Sequence, residues 1–283
     1  MKKIAITGAN GFIGKELCRQ FYQSGWQVFA LQRDISNEHT KGISYISFDL
    51  KNPVFDQWKD FDFVIHAAYF PFRKGNNSMD YNIKASKMLI DYCRSRKINF
   101  VHISSLSASP EALSVYGKTK YEIEKYLDAE RELVIVPGLV IGKGGLFFSI
   151  YQLLKKFKIL PLFAASKTTY TLSISDLCSA TELLIDQNTK GKKYLFHPEA
   201  ISQKEMYIMV AQTLNKKILF VPVLDFFAFL LFEMIELLPF YFGIGKENYL
   251  GIRQKIILEN DEKFYLKNFD FLNTEKSIQE LDK

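Results

Sequence analysis

The 283-residue sequence predicts an α/β fold, a doubly wound parallel sheet covered by helices on both faces and followed by a small C-terminal lobe. Three observations carry that prediction. Short apolar runs rich in Val, Ile and Phe alternate with longer segments of helical spacing, as buried parallel strands and their crossover helices do. A glycine turn, "TGANGFIG", joins the first run to the first helix. The alternation then weakens after Gly142, which sets a soft boundary between the two parts.

In order, the strand candidates are "KIAIT", "WQVFAL", "ISYISF", "FDFVIHAA", "INFVHISS" and "ELVIVPG", with helices expected over 12–24, 79–96 and 115–130. Residues 1–142 form a dinucleotide-binding domain on this reading, parts of 170–197 return to it, and 143–283 make up most of the substrate lobe. An apolar content of 48% over this length buries an ordinary globular core. The net charge of +6 comes from 37 basic residues scattered among 31 acidic ones, so no nucleic-acid surface is expected. No uncharged run reaches the roughly 18 to 20 residues of a spanning helix, and Thr7, Gly8 and Asn10 interrupt the first apolar segment before a signal-peptide core forms. The expected location is cytoplasmic. Cys18, Cys93 and Cys178 lack redox or metal spacing and read as structural; His39, His66, His102 and His197 lack ligand spacing, so no metal is expected.

Gly8, Gly11 and Gly14 follow a strand and open a helix, which is where a backbone without side chains lets an anion reach free N–H groups at the positive end of the helix dipole. The spacing differs from the dinucleotide fingerprint by one residue in its first gap. The complete βαβ context around it still points to a pyrophosphate, with Asn10, Phe12 and Ile13 in the same turn. At the end of the second strand stands "LQRD". An acid there would bond a ribose 2′-hydroxyl; Gln32 followed by Arg33 instead suits a 2′-phosphate, so NADP (NADPH) is preferred, with NAD as the alternative.

"SVYGKTKYEIEKYL" sets Tyr116 and Lys120 four residues apart, about 40° apart on one helical face. An ammonium beside a phenol favours the phenolate, and Ser105, at the end of "FVHISSLSA", can orient a carbonyl toward Tyr116. Together with the glycine turn, this resembles the extended or atypical short-chain dehydrogenase/reductases, the NAD-dependent epimerase/dehydratase-like family with a Rossmann-type domain, over about residues 3–196. The resemblance implies that Ser105, Tyr116 and Lys120 are catalytic: Tyr116 moves the proton, Ser105 holds the carbonyl or hydroxyl, and Lys120 binds the nicotinamide ribose and depresses the Tyr116 pKa. It also implies cofactor contacts from Asp49 and Leu50 in "FDL", Ala67 and Ala68 in "VIHAA", Asn82 in "YNIKASKMLI", and Pro137 and Val140 in "VPGLVIGKGG"; "TLSISDL" is similar to the later segment ending in Asp176.

The departures bear on substrate. Thr169 stands where many sugar-nucleotide enzymes carry a diphosphate-clamping arginine, and Val136 where an arginine often precedes the proline. "ISSLSASPEALSVYGKTKYEIE" is similar to atypical members such as the NADPH-holding accessory subunit of respiratory complex I. The reading is an NAD(P)-dependent oxidoreductase acting by hydride transfer on a carbonyl or hydroxyl substrate, either a sugar nucleotide or an apolar carbonyl compound. The alternatives are a sugar-nucleotide epimerase or dehydratase and a non-catalytic NADPH-binding accessory protein. A homodimer is expected from the resemblance. "YFPFRKGNN" either lines the site or caps a strand, and Lys155, Lys156 and Lys158 read as a solvated helix end. In 223–245, Asp225, Glu233 and Glu236 share one sector of an otherwise apolar helix. A membrane-surface helix favours Lys and Arg there, so a helix packed in the core or against a partner is expected, with peripheral membrane contact or a wall for an apolar substrate as the alternatives.

Overall fold

The computed structural model describes residues 1–35, 40–58, 60–73, 75–236, 244–266 and 268–282; His39, Lys74 and residues 237–243 of the apolar segment lie outside them. The elements run β1 (Lys3–Thr7), α1 (Phe12–Gln23), β2 (Gln27–Gln32), β3 (Ser44–Ser47), β4 (Phe63–His66), α2 (Ser78–Arg96), β5 (Asn99–Ile103), α3 (Val115–Glu124), β6 (Leu133–Pro137), β7 (Leu139–Ile141) and α4 (Gly145–Lys156). They continue with β8 (Ile159–Leu162), β9 (Thr168–Thr169), β10 (Thr171–Ser173), α5 (Ile174–Asp186), β11 (Gly191–Leu195), β12 (Ile201–Ser202), α6 (Gln203–Thr213), β13 (Leu219–Pro222), α7 (Asp225–Glu236), α8 (Lys246–Arg253) and α9 (Thr274–Gln279).

Seven strands form one parallel sheet in the order β11-β6-β5-β4-β1-β2-β3. Because successive side chains point to opposite faces, each strand feeds two cores. Ile4, Ile6, Val28, Ala30 and Ile65 pack on one face under α1 and α5. Ala5, Phe29, Leu31, Val64 and Phe100 pack on the other with Leu89, Ile90 and Cys93 of α2 and Ile123 of α3. A further core, built on Phe147, Ile150, Tyr151 and Leu154 of α4 with Met206 and Val210 of α6, holds the C-terminal lobe together. β11 hydrogen-bonds to β6 in the main sheet, so the chain returns to the first domain between α4 and α6, partway through building the lobe.

One helix is shorter than its apolar spacing predicts. α3 stops at Glu124 rather than near residue 130. The chain turns so that Glu132, 2% exposed, can accept hydrogen bonds from Arg94 Nε at 2.8 Å and Nη2 at 2.9 Å and from the Asp128 backbone N–H at 2.7 Å. A buried carboxylate demands such donors, and meeting that demand overrides the helix pattern.

Candidate active site

The strand order reverses between β1 and β4, and the crevice beyond their C-terminal ends is where open α/β sheets bind ligands. Gly8 sits there at φ +69°, and a Cβ added to it would lie 2.8 Å from the Ala68 Cα. A Cβ on Gly14 would overlap the Gly8 carbonyl, so the first turn of α1 can lie on the glycine turn only without one. Gly11 precedes α1 as its N-cap, with no side-chain cap and no acid in the first turn. The first N–H groups of α1 therefore face an open, electropositive cradle, and the residues present fit a dinucleotide pyrophosphate. Phe12 packs on Gly142 and Gly144, tying the same turn to the start of the lobe.

The remaining expected cofactor residues fall around this crevice. Gln32 is buried and donates to the Asp34 carbonyl at 2.9 Å, which leaves Arg33 exposed at the end of β2. Asp49 accepts from the Lys51 N–H at 3.0 Å, while Leu50 belongs to the core. Asn82 is buried and clamps the loop after β4, accepting from the Phe70 N–H at 2.8 Å and donating to the carbonyls of Phe70 at 2.8 Å and Ser78 at 2.7 Å. Its own bonds thus go to the protein, and it shapes the crevice through that loop. Ala67 and Ala68 follow β4, and the Ala68 N–H donates to Thr7 Oγ1 at 3.2 Å.

Beneath them runs a buried chain whose proton positions follow from its partners. Ser86 donates to the Asn82 carbonyl at 2.7 Å and so accepts from His66 Nε2 at 2.9 Å; His66 Nδ1 then accepts from Thr7 Oγ1 at 2.8 Å. His66 is a neutral imidazole carrying its proton on Nε2. Burial and then the Lys120 charge lower its pKa to about 3. His102, on the neighbouring strand with its ring centroid 5.7 Å away, is fully buried, lacks a hydrogen-bond partner among the described residues and is likewise held neutral by burial.

Ser105, Tyr116 and Lys120 come together at the end of β5 and the first turns of α3. Ser114 caps α3 by accepting from the Gly117 N–H at 3.0 Å, and a Cβ on Gly117 would strike the Ser107 carbonyl. The helix therefore lies directly on the serine loop. Ser105 Oγ is 3.0 Å from Ser107 Oγ and hydrogen-bonds toward Tyr116. Lys120 is 3% exposed, donates to the Ile103 carbonyl at 2.6 Å and has its Nζ 5.8 Å from the centre of the Tyr116 ring. Burial lowers its pKa to about 8, against the pull of Glu124 one turn further on. Glu124 in turn accepts from Ser104 and pairs with Lys192 at 2.9 Å.

Tyr116 differs from the expectation that Lys120 would depress its pKa. Burial raises it to about 12, opposed only by the Ser105 hydrogen bond, because the Lys120 ammonium is directed to the Ile103 carbonyl. At neutral pH the side chain is a phenol.

Tyr69, the first residue of the "YFPFRKGNN" segment, joins the site, while two lobe residues escaped the sequence reading. Tyr69 lies edge-on to Tyr116, with ring centroids 4.8 Å apart at 85°, and its buried hydroxyl has a raised pKa. Glu247 of α8 reaches from the lobe to accept the Val115 N–H at 2.7 Å and the Tyr116 N–H at 3.3 Å, so a lobe carboxylate sits on the N-terminus of α3. Gln254 binds the Leu113 N–H at 2.8 Å from the same side. No motif flags Glu247 or Gln254, because both act through tertiary contact with a segment more than 130 residues away.

Tyr116 and Ser105 open into a cavity of about 970 Å³ whose wall includes Tyr69, Phe72, Leu139 and Ile252. Pro71 and Arg73 also line it, so "YFPFRKGNN" contributes wall rather than a simple strand cap. Thr169 is in the wall, and among the described lining residues Arg73 and Lys246 are the cations. Lys155, Lys156 and Lys158 lie elsewhere, exposed at the end of α4. No group of His, Cys, Asp and Glu suited to a metal occurs among the described residues, and the three described cysteines are free and buried.

Residues 4–134 match the NAD dependent epimerase/dehydratase family. A ceramide reductase from Caulobacter vibrioides is 26% identical over 182 residues, covering 61% of this chain and 57% of that protein. The chain thus aligns with somewhat more than half of that relative's length. Among solved structures, gox2253 has a TM-score of 0.77 at 14% identity over 99% of this chain and 96% of that one. MoeE5, in complex with UDP-glucuronic acid and NAD, has a TM-score of 0.68 at 21% identity over 78% and 85%. At these identities the structural likeness establishes the fold.

Proposed function

We propose that the protein is an NADP-dependent reductase of an apolar or amphipathic carbonyl compound, with Tyr116 as proton donor, Ser105 holding the carbonyl oxygen and Lys120 binding the nicotinamide ribose. The observation that carries this reading is the protonated Tyr116 phenol at the cavity wall, hydrogen-bonded by Ser105 and raised by burial to about 12. A phenol that keeps its proton is set to give it to a developing alkoxide, which favours reduction over oxidation at neutral pH. Bound nicotinamide supplies the hydride. The chain's own contribution is to hold the carbonyl oxygen between Ser105 and Tyr116, to carry a positive charge beneath them on Lys120, and to exclude water with Tyr69 and Phe72.

Exposed Arg33 beyond a neutral Gln32 supports NADPH over NADH. The substrate class follows from the wall, where aromatic and aliphatic side chains outnumber charges and Thr169 replaces a diphosphate clamp. The likeness to a ceramide reductase is in keeping with a lipid-like carbonyl. A sugar-nucleotide reductase, epimerase or dehydratase is the second reading, favoured by Arg73 and Lys246, which line the cavity and could face a diphosphate. The test is NADPH oxidation by purified protein offered long-chain ketones and, separately, keto-sugar nucleotides. Stoichiometric oxidation with the ketones supports the first reading. Turnover of the sugar nucleotides alone, or their conversion with no net NADPH consumed, replaces it with the second. Tight NADPH binding without turnover of either would favour an accessory role.

A further inference from the structure

The C-terminal lobe carries an exposed face whose polarity is reversed. On a surface helix the side turned from the core is polar. In α7 the inward positions are Ala228 and Phe232, which pack with Phe163 and Tyr249, while Phe226 at 73%, Phe227 at 56% and Leu230 at 50% exposure point to solvent with Phe229 and Leu231. Glu233 is paired with Lys246, whose Nζ also lies 4.6 Å from the centre of the Phe229 ring.

The strand pair that leads into α7 shows the same reversal. β8 and β13 are parallel, with Ile159 opposite Leu219 and Pro161 opposite Val221. Leu160 and Phe220 turn inward to the lobe core, so the outer face of the ribbon is Ile159, Pro161, Leu219 and Val221, all exposed. β13 continues through Leu224, 73% exposed, directly into α7. Parallel pairing also gathers charge. Lys155, Lys156 and Lys158 lead into β8 and Lys216 and Lys217 lead into β13, so all five reach the same end of the ribbon. Lys216 caps the carbonyls that end α4, and the Leu219 N–H donates to the Lys158 carbonyl at 2.8 Å.

We propose that this face docks the protein on an anionic lipid bilayer, with α7 and the outer side of the ribbon entering the headgroup boundary and the lysine cluster meeting lipid phosphates. Apolar area and basic charge together are what interfacial binding uses, and a second source of attraction is needed because neither alone holds a protein on a membrane. Among the described residues no helix is long and apolar enough to cross a membrane, so the contact is peripheral. α7 packs on α8, and α8 lines the cavity, so docking through α7 would place the lipid surface one helix away from the cavity wall. The inference stands apart from the chemistry at Tyr116.

The test is co-sedimentation of the full chain with vesicles of phosphatidylcholine containing about 30% phosphatidylglycerol, against phosphatidylcholine alone. We expect binding to the anionic vesicles that weakens as salt rises from about 50 to 300 mM. The triple substitution F226S/F227S/L230S, confined to exposed positions, should reduce binding by about tenfold or more, and K155E/K156E/K158E should abolish the preference for anionic lipid. Thermal melts and NADPH titration establish that both variants fold. Absence of binding at low salt, or a folded F226S/F227S/L230S variant that binds as well as wild type, overturns the proposal. So does a wild-type dimer that becomes a monomer in this variant while neither sediments with vesicles, since a second copy then covers the face.

Discussion

The crevice beyond β1 and β4 and the face formed by β8, β13 and α7 are built on opposite terms. In the crevice the backbone is held by contacts that tolerate no added atom, and the polar groups beneath it form a hydrogen-bonded chain from Thr7 through His66 and Ser86 to Asn82. On the lobe face the large apolar side chains of Phe226, Phe227 and Leu230 are exposed, half or more of each being open to solvent. The first is rigid and polar beneath its surface; the second is apolar and exposed, the arrangement from which the docking proposal starts. Glu247 joins the two, since it belongs to α8 beneath α7 and bonds the first N–H groups of the helix that carries Tyr116.

The comparison can be broken most sharply at the crevice. Gly14→Val should weaken NADPH binding by about a hundredfold or unfold the N-terminal half, because its side chain must displace the Gly8 carbonyl. Calorimetric titration beside a thermal melt reads both, and retention of wild-type affinity would deny that the turn holds the pyrophosphate.

Lys120 offers the next largest effect, with a sign set by linkage. Its folded pKa, about 8, lies below the ordinary lysine value of 10.5. Between about pH 8 and 10.5 the unfolded chain binds the extra proton, so stability rises with pH across that window, and below it the buried charge costs on the order of 1–3 kcal/mol. Lys120→Met should therefore be more stable than wild type at pH 7, with the gain fading by about pH 10.5, while turnover is lost. Urea denaturation at the two pH values tests this. A variant less stable than wild type at pH 7 would mean that the bond to the Ile103 carbonyl outweighs the desolvation of the ammonium.

If Arg33 pairs with the 2′-phosphate as proposed, Arg33→Ala should weaken NADPH by about tenfold or more and leave NADH within about twofold. Equal losses for both nucleotides would remove the basis for NADP. The smallest effect is expected at the joint between the regions. Glu247→Gln keeps a hydrogen-bond acceptor but loses the negative charge at the N-terminus of α3, so kcat should fall by about two- to tenfold with NADPH affinity unchanged. A change in nucleotide affinity of the same size would make it a structural residue for the whole domain.

These regions also differ in how much the sequence disclosed. The strands, the glycine turn and the Ser105, Tyr116 and Lys120 positions were legible because each depends on local spacing: alternation in a strand, a gap of three between glycines, four residues between side chains on one helical turn. The early end of α3 was not, since it answers to the buried Glu132 and its partner Arg94 on a different helix. Neither was the raised pKa of Tyr116, because the four-residue spacing gives proximity to Lys120 but not the direction in which the ammonium points. The apolar segment was expected to pack in the core or against a partner. α7 buries Ala228 and Phe232 and exposes Phe226, Phe227, Leu230 and Leu231, a distinction that hydropathy along a largely apolar helix does not contain.

The most direct measurement is single-turnover oxidation of bound NADPH by Tyr116→Phe and wild type with a long-chain ketone, beside the affinity of each for NADPH. Removing the phenol proton while keeping the ring should slow hydride transfer by about a hundredfold to ten-thousandfold and leave nucleotide affinity within about twofold. Equal rates in the two proteins would contradict the assignment of Tyr116 as the proton donor and, with it, the reductase reading of the site.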